Sequence, residues 1–362
     1  MERVTISKPQ LGEEDIAAVA AVLRSGQLAA GKRVREFEDA FAAMIGVEYA
    51  VAASSGTAAL QAALRALELP AGSLVITTPF SFMATAAAIL DAGAVPLFVD
   101  IDPETYNLRP QAVSAAIDKY PGVQAIVAVD LYGLPFSPAL LEISARHGLW
   151  LVEDAAQAHG ASVNGRRAGA LGHIACFSFY ATKNMTTGEG GMVTTPHPGF
   201  ARRVRLIINH GQQARYHHTL LGFNYRLTEM QAALGLVQLK GLADRNERRR
   251  SIAHRYNESL PDALSKPHEP RGYYHVYHQY VVRSARRDEI AHALDQQGID
   301  TAVHYPALIP RQPAMSSVPL FQEICPVAER ACREVLSLPV HAGLRDDEVD
   351  RVIDAVKAVN LV

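Results

Sequence analysis

Cysteine is scarce. Cys176, Cys325 and Cys332 are the only three in 362 residues. Their number and spacing exclude a disulfide framework and a zinc site. Buried or free thiols in a reducing compartment are the simplest reading, so a cytoplasmic protein is expected. Net charge is scarce too: 35 Lys and Arg against 37 Asp and Glu leave a formal charge of −2. No overall basic field argues for nucleic acid. Arg202-Arg203 and Arg248-Arg249-Arg250 lie on helical patterns, where a solvated face is the natural reading. No apolar run is long enough to span a bilayer, so no membrane partner is expected. The opening Met-Glu-Arg-Val-Thr has mixed charge and no signal-like apolar segment. No strand is followed by Gly-x-Gly-x-x-Gly, which excludes a nicotinamide-binding Rossmann site. His217-His218 and the pair His275 and His278 lack a carboxylate or cysteine set, so no metal site is expected.

What is present is a regular alternation. Helical spacing covers Glu13 to Leu23 and Lys32 to Met44. A short strand, Tyr49 to Ala53, runs through Ser54-Ser55-Gly56-Thr57 into a helix from Ala58 to Leu67. Strands are then predicted at Leu74 to Thr78, Val95 to Val99, Val123 to Val129 and Leu149 to Glu153. Helices at Met83 to Leu90, Pro110 to Lys119 and Pro138 to His147 separate them. Such units imply an α/β fold with a mostly parallel sheet covered on both faces. Two further strands, Ile174 to Tyr180 and Gly191 to Thr195, precede a helix from Phe200 to Ile208. Arg226 to about Leu260 reads as one long helix. A smaller remainder follows, with a strand over Tyr274 to Val282, a helix over Glu289 to Gln297 and a strand over Thr301 to Val303. Helices are predicted for Cys325 to Leu336 and Asp346 to Val359. We place a domain boundary near Gly241, giving residues 1–240 and 241–362.

The stretch from Cys176 to Met192 organises the rest. An aromatic run leads to Lys183, and Gly188, Gly190 and Gly191 follow. Alone this could be a loop lysine after a buried strand. Taken by itself, that reading wins; the functional alternative is an amine desolvated enough to form a Schiff base. Upstream, Asp154 ends a strand and is followed by Ala155-Ala156-Gln157-Ala158-His159-Gly160, small residues that let a ligand approach the backbone. A carboxylate at a buried strand end calls for a cationic partner. The turn at Ser55 to Thr57 aims free N–H groups at one spot, which favours a phosphate. Together these parts describe a site for pyridoxal 5′-phosphate. Lys183 would form the internal aldimine, Asp154 would hold the ring nitrogen protonated, the Ser55 turn with Ser178 would take the phosphate and Phe82 would supply a flat face.

In order and spacing the motifs resemble the DegT/DnrJ/StrS family of sugar aminotransferases. The resemblance runs from Ile6-Ser7-Lys8-Pro9 through Ser54-Ser55-Gly56-Thr57-Ala58-Ala59-Leu60 and Thr78-Pro79-Phe80-Ser81-Phe82. It continues through Glu153 to Gly160, the Lys183 segment, Gly222-Phe223-Asn224-Tyr225-Arg226 and His304-Tyr305-Pro306, and it closes on Ser337-Leu338-Pro339. The resemblance implies a fold type I pyridoxal phosphate transferase. Its large domain would hold a mostly parallel seven-stranded sheet sandwiched by helices, beside a smaller α+β C-terminal domain. It implies Lys183 as the Schiff-base lysine and acid/base, Asp154 on the ring nitrogen and Gln157 near the ring hydroxyl. Gly56, Thr57, Ala58 and Ser178 would bind the phosphate, and Phe82 would stack on the ring. Asn224 would reach the cofactor phosphate of the neighbouring subunit, making a homodimer with shared sites. His159, Arg226, His304 and Tyr305 would face the sugar. The implied reaction takes an amino group from L-glutamate, leaves pyridoxamine 5′-phosphate, and delivers the amine to a nucleotide-linked keto-sugar, with a 4-keto-6-deoxyhexose expected and a 3-keto sugar possible in principle. A keto-inositol acceptor and a non-catalytic regulator on the same fold are the alternatives. Two departures stand out: Asp130 where relatives often have histidine, and Ala181 where proline is frequent.

Overall fold

The computed structural model describes residues 2–359. Two helices open the chain, α1 (Glu13–Ser25) and α2 (Lys32–Ile45). The acidic first turn of α1 suits its helix dipole, and Gly26 ends it in a left-handed conformation at φ 70°. Strands and helices then alternate: β1 (Tyr49–Ala53), α3 (Gly56–Ala66), β2 (Leu74–Thr77), α4 (Ala84–Asp91), β3 (Val95–Phe98) and α5 (Pro110–Lys119). Next come β4 (Val123–Val129), α6 (Ala139–His147), β5 (Trp150–Asp154), β6 (Ile174–Ser178), β7 (Gly191–Thr195) and α7 (Pro198–Ile207). Then follow α8 (Glu229–Lys240), α9 (Leu242–Ser259), β8 (Tyr280–Arg283) and α10 (Arg287–Gln296). The chain closes with β9 (Phe321–Gln322), α11 (Pro326–Glu334), β10 (Val335–Leu338) and α12 (Asp346–Ala358).

The central sheet runs in the order β1-β7-β6-β5-β4-β2-β3-β9. Seven of these strands were expected; the eighth, β9, adds two residues parallel to β3. β7 is antiparallel to both β1 and β6, and the remaining pairs are parallel. Alternate residues of each strand serve opposite cores. In β1, Val51 and Ala53 pack with α3 and α7, whereas Ala50 and Ala52 pack with α2. A sheet covered on both faces in this way explains why its strands are nearly continuous apolar runs.

A separate core lies in the C-terminal part, where Ile252 and Tyr256 of α9 meet Val282, Leu336 and Val352, joined by Val4 from the N-terminus. Here the structure differs from the sequence reading at four places. The long helix is two, α8 and α9, meeting at Gly241. The strand expected over 274–282 divides, because Tyr277 takes φ 42°. Tyr273 and Tyr274 pair with Val163 and Ser162, while β8 pairs with β10. The helix expected to reach Leu336 stops at Glu334, and Val335–Leu338 is a strand. Its residues are all buried, and a short buried apolar run carries no periodicity to separate strand from helix. At Thr301 to Val303 only an isolated bridge forms, Ala302 to Ser337.

Glu229 ties α8 to α2. Its carboxylate accepts the N–H groups of Gly31 at 2.8 Å, Arg33 at 2.9 Å and Val34 at 3.0 Å. It is 3% exposed, and it serves the N-terminus of a helix whose cap is a glycine without a side chain. Glu229→Ala leaves those donors without an acceptor and is expected to lower the unfolding free energy by about 3 kcal/mol. Glu229→Gln should recover part of that. Urea unfolding checks it, and an unchanged midpoint for the alanine variant would contradict the assignment.

Candidate active site

A cavity of about 580 Å³ opens at the carboxyl ends of β2, β4, β5 and β6. Parallel sheets gather ligands at this edge, since helix N-termini and loops converge there. The cavity wall includes Ser55, Gly56, Thr57, Phe82, Asp154, Gln157, Ser178, Lys183, His304 and Tyr305.

Lys183 sits in the turn after β6, where its N–H donates to the Tyr180 carbonyl at 2.9 Å. Burial lowers its pKa to about 8, against the opposing pull of the Asp154 charge. The amine is therefore more available near neutral pH than that of a surface lysine. Asp154, the last residue of β5, is 5% exposed. Its Oδ2 accepts from the Thr85 hydroxyl at 2.9 Å and its Oδ1 from the Ala156 N–H at 3.3 Å. Burial raises its pKa, while Thr85, Ala156 and Lys183 favour the ionised form. Among the described residues no cation hydrogen-bonds to it. A buried carboxylate facing the cavity, with no bonded cation of its own, fits a protonated ring nitrogen as its partner.

The start of α3 forms the opposite wall. Ser55 caps the helix by accepting the Ala58 N–H at 3.1 Å. That occupies the Ala58 donor and leaves the Gly56 and Thr57 N–H groups without an acceptor inside the helix. A Cβ on Gly56 would lie 2.6 Å from the Ser178 Cβ, so glycine lets α3 close on β6 and brings the Ser178 hydroxyl alongside. Phe82 is 63% exposed, an open aromatic face on the cavity wall. Gln157 accepts the Tyr132 N–H at 2.6 Å through Oε1 and donates to the Tyr305 hydroxyl at 3.3 Å through Nε2. His304 Nδ1 lies 2.9 Å from the Ser337 hydroxyl, and burial lowers its pKa.

Four expected residues lie off the cavity wall, the first being Ala58, whose N–H is taken by the Ser55 cap. His159 does not line the cavity. It is fully buried against Phe177 and Phe179, at ring distances of 5.3 and 5.7 Å. Burial lowers its pKa to about 3. Asn224 is exposed, outside this chain's cavity. Arg226, also off the cavity wall, donates to Asn209 Oδ1 at 2.7 Å. Conversely, Thr85, Glu189, His278 and Gln279 line the cavity. Thr85 is inside an alanine-rich helix and carries no motif. His278 is visible in the sequence only as half of a histidine pair without metal-binding company.

Asp130 occupies a fully buried position behind the site. Its Oδ1 accepts the Phe136 N–H at 2.8 Å, and its Oδ2 meets no N–H donor. Glu153 lies against it and accepts N–H groups from Gly169, Leu171 and Gly172. Burial and the Glu153 charge hold Asp130 well above the ordinary carboxylate range, so Asp130 keeps its proton and donates it toward Glu153. A raised folded pKa sets the sign. The stabilising contribution is full below the unfolded pKa and is lost as pH climbs through the folded one. Wild-type stability should fall with rising pH at up to about 1.4 kcal/mol per pH unit in that window. Asp130→Asn should remove most of that slope and be at least as stable at neutral pH. Urea midpoints across pH check this, and parallel profiles for the two proteins would contradict it.

No described helix is long and apolar enough to cross a membrane. Among the described residues, no group of three His, Cys, Asp or Glu is placed to hold a metal ion. The DegT/DnrJ/EryC1/StrS aminotransferase family model matches residues 9–357. A UDP-N-acetyl-3-dehydro-α-D-glucosamine 3-aminotransferase from Acidithiobacillus ferrooxidans is 40% identical over 350 residues, 96% of this chain and 94% of that protein. A pleiotropic regulatory protein from Geobacillus stearothermophilus is also 40% identical, over 353 residues, 96% of this chain and 94% of that one. The crystal structure of S. venezuelae DesV in complex with a ketimine intermediate superposes with a TM-score of 0.95 at 39% identity, covering 99% of this chain and 98% of that one. The fold is that of the fold type I aminotransferases, and the chain belongs to the DegT/DnrJ/EryC1/StrS aminotransferase family.

Proposed function

We propose that this chain moves an amino group from L-glutamate to a nucleotide-linked keto-sugar, with pyridoxal phosphate held at the cavity of Lys183 and Asp154. The observation that carries this reading is the pairing, on one cavity wall, of an amine with lowered pKa and a buried carboxylate without a bonded cation. Lys183 would hold the cofactor as a Schiff base and afterwards move the proton at the substrate Cα. Asp154 would face the ring nitrogen. The Gly56 and Thr57 N–H groups with the Thr57 and Ser178 hydroxyls would take the phosphate. The Ala58 N–H is already used by the Ser55 cap, so Ala58 contributes by shaping the turn. Phe82 would cover the ring, and Gln157, fixed by Tyr132 and Tyr305, would meet its hydroxyl side. When bound, the group withdraws electrons from the substrate Cα–H bond and carries nitrogen between donor and acceptor.

Among the described residues, Lys183 is the only lysine or arginine on the cavity wall. A donor carboxylate and a nucleotide diphosphate both need cations. That need supports a homodimer whose partner supplies Asn224 to the phosphate and Arg226 or Arg215 to the sugar nucleotide. Tyr216 at 80% and Leu221 at 88% exposure sit on the same segment, as apolar area for a partner to cover. Division into units 1–240 and 241–362 is supported by the break at Gly241 and the separate C-terminal core. The three cysteines are free and buried, which supports a reducing, cytoplasmic setting.

The relative from A. ferrooxidans has a name that places the carbonyl at C3, so a 3-keto sugar is favoured over a 4-keto one. The test has two steps. A cofactor band at ~410–430 nm should move to ~330 nm with excess L-glutamate. A panel of 3-keto and 4-keto nucleotide sugars and a nucleotide-free keto-inositol should then restore it. Restoration by the inositol alone would overturn the sugar assignment. Failure to bind the cofactor at all would overturn the enzymatic reading and bring forward a regulatory one, for which the G. stearothermophilus relative is the precedent.

A further inference from the structure

Ser81, Phe82 and Thr85 reach the cavity wall from the turn that leads into α4. Phe82 is open to the cavity, whereas Ser81 and Thr85 are buried, at 4% and 1% exposure. Their hydroxyls form a chain that ends on Asp154. Thr85 Oγ1 lies 2.9 Å from Asp154 Oδ2, and Ser81 Oγ lies 3.2 Å from Thr85 Oγ1. Ser81 Oγ is also 3.3 Å from the Phe82 carbonyl. A threonine within a helix often spends its hydroxyl on a carbonyl of the preceding turn. Thr85 instead meets two side chains.

Each hydroxyl both donates and accepts, so the chain can run in either direction. With Asp154 ionised, Ser81 donates to Thr85 and Thr85 donates to Oδ2. With Asp154 protonated, Oδ2 donates to Thr85, Thr85 to Ser81, and Ser81 to the Phe82 carbonyl, which only accepts. That carbonyl also takes the Thr85 N–H, at 3.2 Å. The chain therefore closes without an orphaned group in either state of the acid. The ionised direction is the stronger, because a charged acceptor makes a hydrogen bond worth about twice a neutral one. Lys183, Asp130, Cys176 and Tyr305 are the titratable neighbours that feel the Asp154 charge. Glu153, next to it in β5, turns toward Asp130 and the N–H groups of Gly169, Leu171 and Gly172. Of these neighbours only Lys183 is a cation, and it makes no hydrogen bond to Asp154 among the described residues. Thr85 and the Ala156 N–H are the donors that touch the carboxylate.

We propose that Thr85 is a positioning residue for Asp154: its hydroxyl, backed by Ser81, holds the carboxyl group at the cavity and favours the ionised form that pairs with the cofactor's ring nitrogen. This rests on the cofactor reading proposed above. One proton moves, from Asp154 to the ring nitrogen, as an O–H bond breaks and an N–H bond forms. The two hydroxyls keep their protons and only turn over, so the acid changes charge without stranding a buried group. The arrangement also explains a threonine and a serine buried on the wall of an otherwise alanine-rich helix start.

Two measurements decide it. In cofactor-free, full-length protein with ¹³C-labelled aspartate carboxyls, the Asp154 signal is followed against pH and assigned by its absence in Asp154→Asn. Thr85→Val keeps the shape but loses the hydroxyl, and the Asp154 midpoint should rise by about one pH unit, the tenfold that a charge-assisted hydrogen bond is worth. Thr85→Ser offers the hydroxyl again and should return the midpoint to the wild-type value. Ser81→Ala leaves Thr85 in place and should shift the midpoint in the same direction by less. An unchanged midpoint in Thr85→Val would overturn the proposal, and if that variant does not fold, an unchanged midpoint in Ser81→Ala would do so. The second readout is the ring-nitrogen signal of bound, ¹⁵N-labelled pyridoxal phosphate. In Thr85→Val it should move toward the unprotonated ring, with kcat lowered about tenfold and the KM for L-glutamate held. A ring signal identical in the two proteins would overturn the proposal. A wild type that binds no pyridoxal phosphate would overturn the cofactor reading and the ring-nitrogen half of this one, while the carboxyl titration decides the Thr85 contact by itself.

Discussion

Lys183→Ala is expected to lower amino transfer by about 10⁴-fold or more, since in the proposed reaction this residue would be both the covalent anchor and the proton carrier. That loss corresponds to roughly 5.5 kcal/mol of barrier. The size follows from the absence of a substitute. Among the described residues no other lysine or arginine lines the cavity. The two histidines on the wall, His278 and His304, are held neutral by burial and neighbouring charge. A neutral imidazole can accept a hydrogen bond but cannot form the link to an aldehyde that a primary amine forms. The variant should also lose the long-wavelength cofactor band while keeping its thermal unfolding temperature. The side chain faces the cavity, and its ordinary cost is the burial of an amine, which alanine removes. Turnover within about tenfold of wild type, in protein free of contaminating transaminase, would rule out the lysine as the reacting group. Partial rescue by a small exogenous amine would strengthen the assignment.

Much of this arrangement was legible in the residues, for reasons that differ from place to place. The alternation from Tyr49 to Glu153 could be read because each buried strand is short and bounded by turn residues, and each helix has a stripe at helical spacing. Lys183 and Asp154 stood out because charged groups at the ends of apolar runs need an explanation. Val335–Leu338 was hidden because a fully buried strand joined directly to a helix shows neither period. Gly241 was read as a domain boundary but not as the end of a helix, since one glycine within a helical pattern is tolerated. His159 misled: its motif belongs beside the site, yet its ring lies in the core against Phe177. Thr85 and His278 were out of reach for a deeper reason. Their places are set by contacts across 69 and 94 residues of sequence, Thr85 with Asp154 and His278 with Asn184. No local pattern encodes such distances.

Asp154→Asn is expected to lower turnover by about 10³-fold while leaving the cofactor-free protein at least as stable as the wild type. The two halves of this prediction have one cause. Asp154 is buried at the end of β5 with a hydroxyl and one N–H for company. Burial raises its pKa, so in the empty site the charged form is costly. The sign follows: a raised folded pKa means that this group's stabilising contribution is complete at acidic pH and declines as pH rises through the folded value. Asparagine carries no charge to bury and can still accept from Thr85. Stability near neutral pH should therefore hold or improve, with a flatter pH profile. The loaded site reverses the balance. With the proposed cofactor bound, a protonated ring nitrogen beside the carboxylate would make the ionised form the favourable one and would keep the ring able to accept electrons. Asparagine cannot hold that proton, so the rate falls although nothing has unfolded. Thermal unfolding across pH, set against turnover of the same samples, separates the outcomes. A variant that loses activity and stability together would make Asp154 a structural cap for the β5 end. A variant that keeps its activity would remove the ring-nitrogen assignment. Only a loss of rate at held or increased stability fits a carboxylate kept at a cost to the fold for the sake of the chemistry.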